Sequence, residues 1–270
     1  MTMTQGSYLL ADQGSELDRL QLQARVWEPA GSKVLEQIGN GAGARALDVG
    51  CGAMGWLRLL SEWVGPQGTV TGTDIDEKML SAADAFVASE GLGNVALIED
   101  DLFASDLDPG SFDLVHARFQ LAPLGRAEEQ LASYLRLVRP GGTVVLEDVH
   151  PGSWHFLPPA PAIEDRLIPL LAQAFEIGSD DPWVARRLPR LFRDANIEPT
   201  VRAEVQALEP GHPYQRLPLQ FATALQGALH KLVDADELAA MLDEAEAELA
   251  DPGRWGLTFT LVQTWGQRPG

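Results

Sequence analysis

Apolar residues recur along this chain with two periods. At Arg45 to Val49, Thr69 to Thr73, Val95 to Ile98, Ser111 to Val115 and Thr143 to Glu147 they form short, near-continuous runs, the pattern of strands buried on both faces. Between these runs, the stretches from Ala53 onward, Glu77 to Glu90 and Arg126 to Val138 read as amphipathic helices. Gly65-Pro66-Gln67-Gly68, Gly91-Leu92-Gly93-Asn94 and Arg139-Pro140-Gly141-Gly142 punctuate the alternation as turns. Such alternation predicts an α/β fold over residues 44–150, with a parallel sheet covered by helices on both faces. Upstream, Ser15 to Ile38 places Leu17, Leu20, Ala24 and Trp27 at helical spacing with Ser15 as N-cap, and Pro29 is expected to divide the segment into two helices.

Beyond His150 the pattern changes. Residues 151–162 are Pro-rich, with Trp154, His155 and Phe156 embedded, and read as an irregular aromatic loop. Helices are expected at Ile163 to Ile177 and Pro182 to Ala195, and a strand at Glu198 to Leu208. A helical stretch follows at Gly211 to Ala250, then an alternating final strand at Gly256 to Trp265. The expected organisation is an N-terminal helical cover (1–43), a ligand-binding core (44–150) and a C-terminal half of the same fold (151–270). A helical lid is inserted into that last part at about 209–252.

The candidate chemistry centres on Ala44 to Leu60, ARALDVGCGAMGWLRLL, where a buried strand turns through glycines into a helix. That device binds nucleotides, because glycine admits close backbone approach and the helix start offers free N–H groups. Gly50, Gly52 and Gly55 satisfy GxGxxG, the dinucleotide spacing. Asp48, two residues before the first glycine, changes the reading. A carboxylate there repels a pyrophosphate and attracts an ammonium, and S-adenosylmethionine combines an ammonium with an adenosine.

LDVGCG followed by TGTDID resembles motif I of the class I S-adenosylmethionine-dependent methyltransferases, of the ubiquinone/menaquinone-biosynthesis type. FDLV at 112–115 and RPGG at 139–142 extend the resemblance, which covers roughly Tyr8 to Glu147. It implies a Rossmann-like sheet, mostly parallel with its last strand antiparallel, and S-adenosylmethionine as cofactor, released as S-adenosylhomocysteine. By the same resemblance Asp48, Gly50, Cys51 and Gly52 line the turn, and Asp74, with Ile75 beside it, takes the ribose hydroxyls. Asp76 is the runner-up for that role and a helix cap otherwise. Asp101 followed by Leu102 would meet the adenine, with Asp100 the alternative. Tyr8 and Gln23 would reach the ligand from the N-terminal cover. Arg118 is counted with the cofactor contacts, or holds an acidic group of the acceptor, or pairs with a surface carboxylate.

Composition narrows the partners. Lys+Arg of 20 against Asp+Glu of 39 leaves a net charge of −19, which opposes nucleic-acid binding. A single cysteine excludes an intramolecular disulfide and fits a cytoplasmic setting, and no apolar run approaches the ~20 residues that span a bilayer. The expected partner is a small-molecule acceptor, with a homodimer compatible. His150 and His116, at the ends of two core strands, are the candidate bases for an acceptor that loses a proton. No metal is expected. Methyl transfer to oxygen is placed ahead of nitrogen or carbon. A cofactor-bound cyclase or binding protein is the alternative on the same fold, and an NAD-dependent dehydrogenase the further one.

Overall fold

The computed structural model describes residues 14–178 and 181–270. Five strands, β1 (Arg45–Val49), β2 (Thr69–Asp74), β3 (Val95–Glu99), β4 (Phe112–Arg118) and β5 (Val138–His150), pair in parallel in the order β3-β2-β1-β4-β5. Two-residue strands β6 (His155–Phe156), β8 (Ala207–Leu208) and β9 (Gly256–Leu257) form a separate antiparallel sheet. Strands β7 (Thr200–Glu204) and β10 (Thr260–Gln267) complete the main sheet, with β10 antiparallel between β5 and β7. The last strand therefore runs antiparallel, as the resemblance implies, but one place in from the edge.

Helix α1 (Gly14–Ile38) runs unbroken through Pro29, so the expected division into two helices does not occur. Proline forfeits one hydrogen bond, but Trp27, Ala30 and Val34 on either side are 0% exposed, and packing holds the segment in one piece. Helix α2 (Leu57–Val64) starts four residues later than expected, because Gly55 is left-handed and residues 53–56 form a turn. Leu57, Leu60 and Val64 then bury completely against the sheet, each contributing roughly 1.5–3 kcal/mol. Helix α3 (Glu77–Glu90) is capped by Asp76, whose side chain accepts from the Lys78 amide, the alternative the sequence offered for that residue.

Helices α1, α2 and α3 cover one sheet face. The short α4 (Leu121–Leu124) and α5 (Ala127–Leu137), with α7 (Leu188–Asp194), cover the other. Helix α6 (Ala162–Gly178) precedes α7, and the insert folds as α8 (Leu217–Ala224), α9 (Gln226–Leu229) and α10 (Ala235–Leu249). Residues of α6, α8, α9 and α10 share one hydrophobic cluster with Trp27 and Ala30 of α1 and with Trp154, Tyr214 and Phe259. This cluster ties the insert to the N-terminal helix. Among the described residues no helix is long and apolar enough to cross a membrane.

Candidate functional site

The glycine turn is conformationally specialised at each position. Gly50, Gly52 and Gly55 take φ of 59°, 55° and 44°, a region that side-chain-bearing residues rarely adopt. A Cβ at Gly50 would lie 1.2 Å from Gln120 Nε2, and one at Gly55 2.2 Å from Asp48 Oδ2. A Cβ at Gly52 would meet nothing within 4 Å, so of these three glycines Gly52 is the one with open space on its Cβ side. Its amide donates to Asp74 Oδ2 at 2.9 Å, while the Asp76 amide donates to Asp74 Oδ1 at 2.9 Å. Burial lifts the Asp74 carboxyl above its usual range, opposed by those two amides. Ile75 stands 62% exposed beside it. At the end of β3, exposed Asp101 accepts from the Phe103 amide at 2.9 Å, and Leu102 is buried. Three strand ends thus present acids and apolar surface around an open glycine.

A polar row crosses the sheet interior beneath this turn. Register sets Asp48 of β1 opposite His116 of β4, Arg118 of β4 opposite Glu147 of β5, and Glu147 opposite Gln263 of β10. His116 is enclosed (1% exposed), with Nδ1 at 2.6 Å from Asp48 Oδ1 and Nε2 at 3.1 Å from Glu147 Oε2. Asp48 Oδ2 accepts the Trp56 amide at 2.7 Å, and the Trp56 ring stacks on the imidazole at 3.8 Å. Glu147 Oε1 accepts from Gln263. Burial drives the His116 pKa down, but the two carboxylates outweigh it and hold the imidazole above its ordinary value. For Glu147, His116 and Arg118 outweigh burial and hold the carboxyl below the usual range.

At the exit of β5, Asp148 is enclosed, and its oxygens accept the amides of Ala122 (3.1 Å) and Val149 (2.9 Å). Burial pushes its carboxyl up to about 7 against these amide bonds, with Asp181 adding to the rise. Half-buried His150 donates from Nδ1 to the Pro151 carbonyl at 2.8 Å, which leaves Nε2 as the acceptor nitrogen. Trp183 meets its ring edge-on at 5.4 Å. The two residues border a cavity of about 470 Å³ that also reaches Trp154, Glu164 and Ile168.

Residues 46–142 match the model of a methyltransferase domain. That match takes in 97 of the 270 residues, and the strand order is that of the class I methyltransferase fold. A demethylmenaquinone methyltransferase of Geobacillus kaustophilus (strain HTA426) is 38% identical over 124 residues, 46% of this chain and 53% of that protein. The chain thus spans about half the length of the curated relatives it matches. A SAM-dependent methyltransferase structure from Aquifex aeolicus aligns over 93% of this chain and 98% of its own, with a TM-score of 0.53 at 18% identity. The [4+2]-cyclase SpnF aligns over 95% and 96%, with a TM-score of 0.52 at 19% identity.

Within the matched residues, the structure gathers Gly50, Cys51, Gly52, Asp74 and Ile75 at neighbouring strand ends, with Asp101 and Leu102 following β3. Asp48 lies under the turn (1% exposed), with both oxygens engaged by protein groups. His116 likewise gives both ring nitrogens to carboxylates and presents none at the sheet edge. Cys51 is buried, and burial raises its thiol pKa well above the usual value. Gln23 on α1 is nearly enclosed and accepts from Arg19 at 3.0 Å. Tyr8 lies outside the described residues. Trp154 and Phe156 belong to the core, and His155 pairs with Glu164 at 2.9 Å. Sequence reasoning missed Glu147 and Gln120. The signal for Glu147 was a charged residue inside an apolar strand, where only a paired charge is stable.

Proposed function

We propose that the protein is an S-adenosylmethionine-dependent methyltransferase acting on a small molecule. The observation that carries this reading is the open space on the Cβ side of Gly52, with Asp74 bonded to its amide and apolar Ile75 exposed alongside. The residues fit an adenosine. Asp74 would accept from the ribose hydroxyls, Asp101 from the adenine amino group, and Ile75 and Leu102 would supply apolar contact. Bound there, the cofactor supplies a methyl group on a sulfonium, an electrophile that leaves behind a neutral thioether. The chain's task is then to hold an acceptor atom in line and exclude water. Trp27 from α1 and Tyr214, at the start of the insert, share a cluster above the strand ends and are suited to that covering task. For a hydroxyl acceptor, His150 Nε2 is the group available to take the proton.

The relatives' name specifies demethylmenaquinone. Their likeness moves the proposed acceptor toward an aromatic ring and carbon transfer, ahead of the oxygen transfer expected from sequence. Isothermal titration should show S-adenosylmethionine binding, strongly weakened in Asp74→Ala, and unchanged affinity in that variant would remove the ribose assignment. Incubation with methyl-labelled cofactor and a metabolite extract, read by mass, tests transfer itself. Cofactor binding with no labelled product from any extract fraction would favour the cyclase reading instead.

A further inference from the structure

Arg118 closes β4 with a side chain only 7% exposed, and among the described residues its guanidinium donates no hydrogen bond. Enclosed Nη1 finds only Glu147 Oε2, at 3.9 Å, beyond hydrogen-bonding range. Glu147 is not free to come closer, because His116 holds Oε2 at 3.1 Å and Gln263 holds Oε1. The guanidinium is therefore balanced in charge and unsatisfied in hydrogen bonding, a costly state that an arriving acceptor oxygen relieves. It is also held in place. Arg118 lies over the Phe119 ring at 5.4 Å, and Phe119 occupies a left-handed φ of 59° with its amide bonded to the Glu147 carbonyl at 2.9 Å.

The surroundings select the ligand's shape. Phe119 packs edge-on to Phe259 at 6.0 Å, and Phe259 stacks on Trp27 at 5.3 Å and meets Tyr214 at 6.2 Å. Arg19, from α1, is also buried, and the charges of Arg19 and Arg118 both reach the Tyr214 phenol. In a chain of net charge −19, the Arg118 guanidinium stands beside an aromatic cluster at the carboxyl end of the sheet. We propose that Arg118 is the receptor for a carboxylate of the ligand bound at these strand ends, which it engages through its unsatisfied N–H groups. The planar fork of a guanidinium matches a carboxylate with two parallel bonds.

The inference rests on the S-adenosylmethionine reading for one of its two carboxylate sources, the methionine end of the cofactor. The other source is an acidic acceptor. Calorimetry on the full chain separates them, using Arg118→Met, which keeps the stem, and Arg118→Lys, which keeps the charge. If the cofactor supplies the carboxylate, Arg118→Met weakens S-adenosylhomocysteine roughly 10- to 100-fold. Its affinity for 5′-methylthioadenosine, which lacks the amino-acid end, stays unchanged, and Arg118→Lys recovers part of the loss. If the acceptor supplies it, S-adenosylhomocysteine affinity is retained, and benzoate binds the wild-type protein but not Arg118→Met. Thermal denaturation establishes that the variants fold. Wild-type affinity of Arg118→Met for both S-adenosylhomocysteine and benzoate overturns the proposal, as does benzoate binding to neither protein with unchanged S-adenosylhomocysteine affinity. A wild-type protein that binds neither adenosine compound instead defeats the cofactor reading, and the benzoate arm still decides Arg118.

Discussion

Replacing His116 with alanine probes the polar row most directly. The imidazole is enclosed, bridges Asp48 at 2.6 Å and Glu147 at 3.1 Å, and stacks on Trp56 at 3.8 Å. His116→Ala removes what is, among the described residues, the only positive partner that touches both carboxylates, and leaves them facing each other in the sheet interior. Breaking a buried ion pair from one side costs about 3–5 kcal/mol. Loss of the ring stack adds about 0.5–1.5 kcal/mol. Uptake of a proton by one carboxylate returns part of this, so the expected destabilisation at neutral pH is about 4 kcal/mol. For a chain of this size that corresponds to a Tm lowered by roughly 8–16 °C.

Urea denaturation followed by circular dichroism measures the loss, and two internal controls tie it to charge. Glu147→Gln added to His116→Ala removes one of the stranded carboxylates and should restore about 1–3 kcal/mol. The deficit should also shrink where Glu147 protonates, because His116 holds that carboxyl below its usual range and the stability this contributes is lost as pH falls through the lowered value. In the wild-type protein the His116 pKa is raised on folding. Its protonation therefore contributes stability that is full below the unfolded value of about 6.5 and is lost as pH rises through the higher folded value. A His116→Ala protein within about 1 kcal/mol of wild type, or one that Glu147→Gln leaves no more stable, would show that the row is not an ionic bridge.

Asp148 offers a second test. Its carboxyl rises from 3.8 to about 7 on folding, so the native state holds the proton more tightly and stability falls as pH climbs between those values. The accumulated loss is about 4 kcal/mol, and Asp148→Asn should lack it. Urea midpoints at pH 5 and pH 8 that move in parallel for the two proteins would contradict the assignment. Gly50→Ala combines a φ of 59° with a Cβ 1.2 Å from Gln120 Nε2, and backbone strain alone costs about 1–2 kcal/mol. Adding Gln120→Ala should recover the steric part and not the strain, and a Gly50→Ala protein with wild-type stability would disprove the tight fit.

Where local pattern carries the information, the chain is legible. Runs of buried residues at 45–49, 69–74 and 112–118 lie on both-face-covered strands, whose side chains have no solvent side to alternate with. Turn chemistry is equally local: Gly91 ends α3 at a left-handed φ of 67°, and Asp76 begins it. The short sheet of β6, β8 and β9 escaped notice because a two-residue strand has no period. Its pairs join segments far apart along the chain, Ala207 with Leu257 and His155 with Leu257. A continuous final strand at 256–265 was accordingly the wrong reading, for Gly256–Leu257 and Thr260–Gln267 belong to different sheets.

The amino-acid order by itself determined the strand–helix alternation, the glycine turn and the acids at the strand ends, since each depends on residues within one turn or one strand of each other. Only the tertiary structure decided what the polar side chains do. Asp48 and His116 are 68 residues apart in sequence, and Glu147 and Gln263 are 116 apart. Register alone makes them neighbours, and it converts a residue expected at the ligand and a residue expected to act as base into partners of one another. Pro29 belongs to the same class, since the burial of Trp27 and Val34, a tertiary quantity, settled a conflict that local propensity would have resolved the other way. The physical reason is common to both: charge and burial act through space, while sequence pattern reports only what is near along the chain.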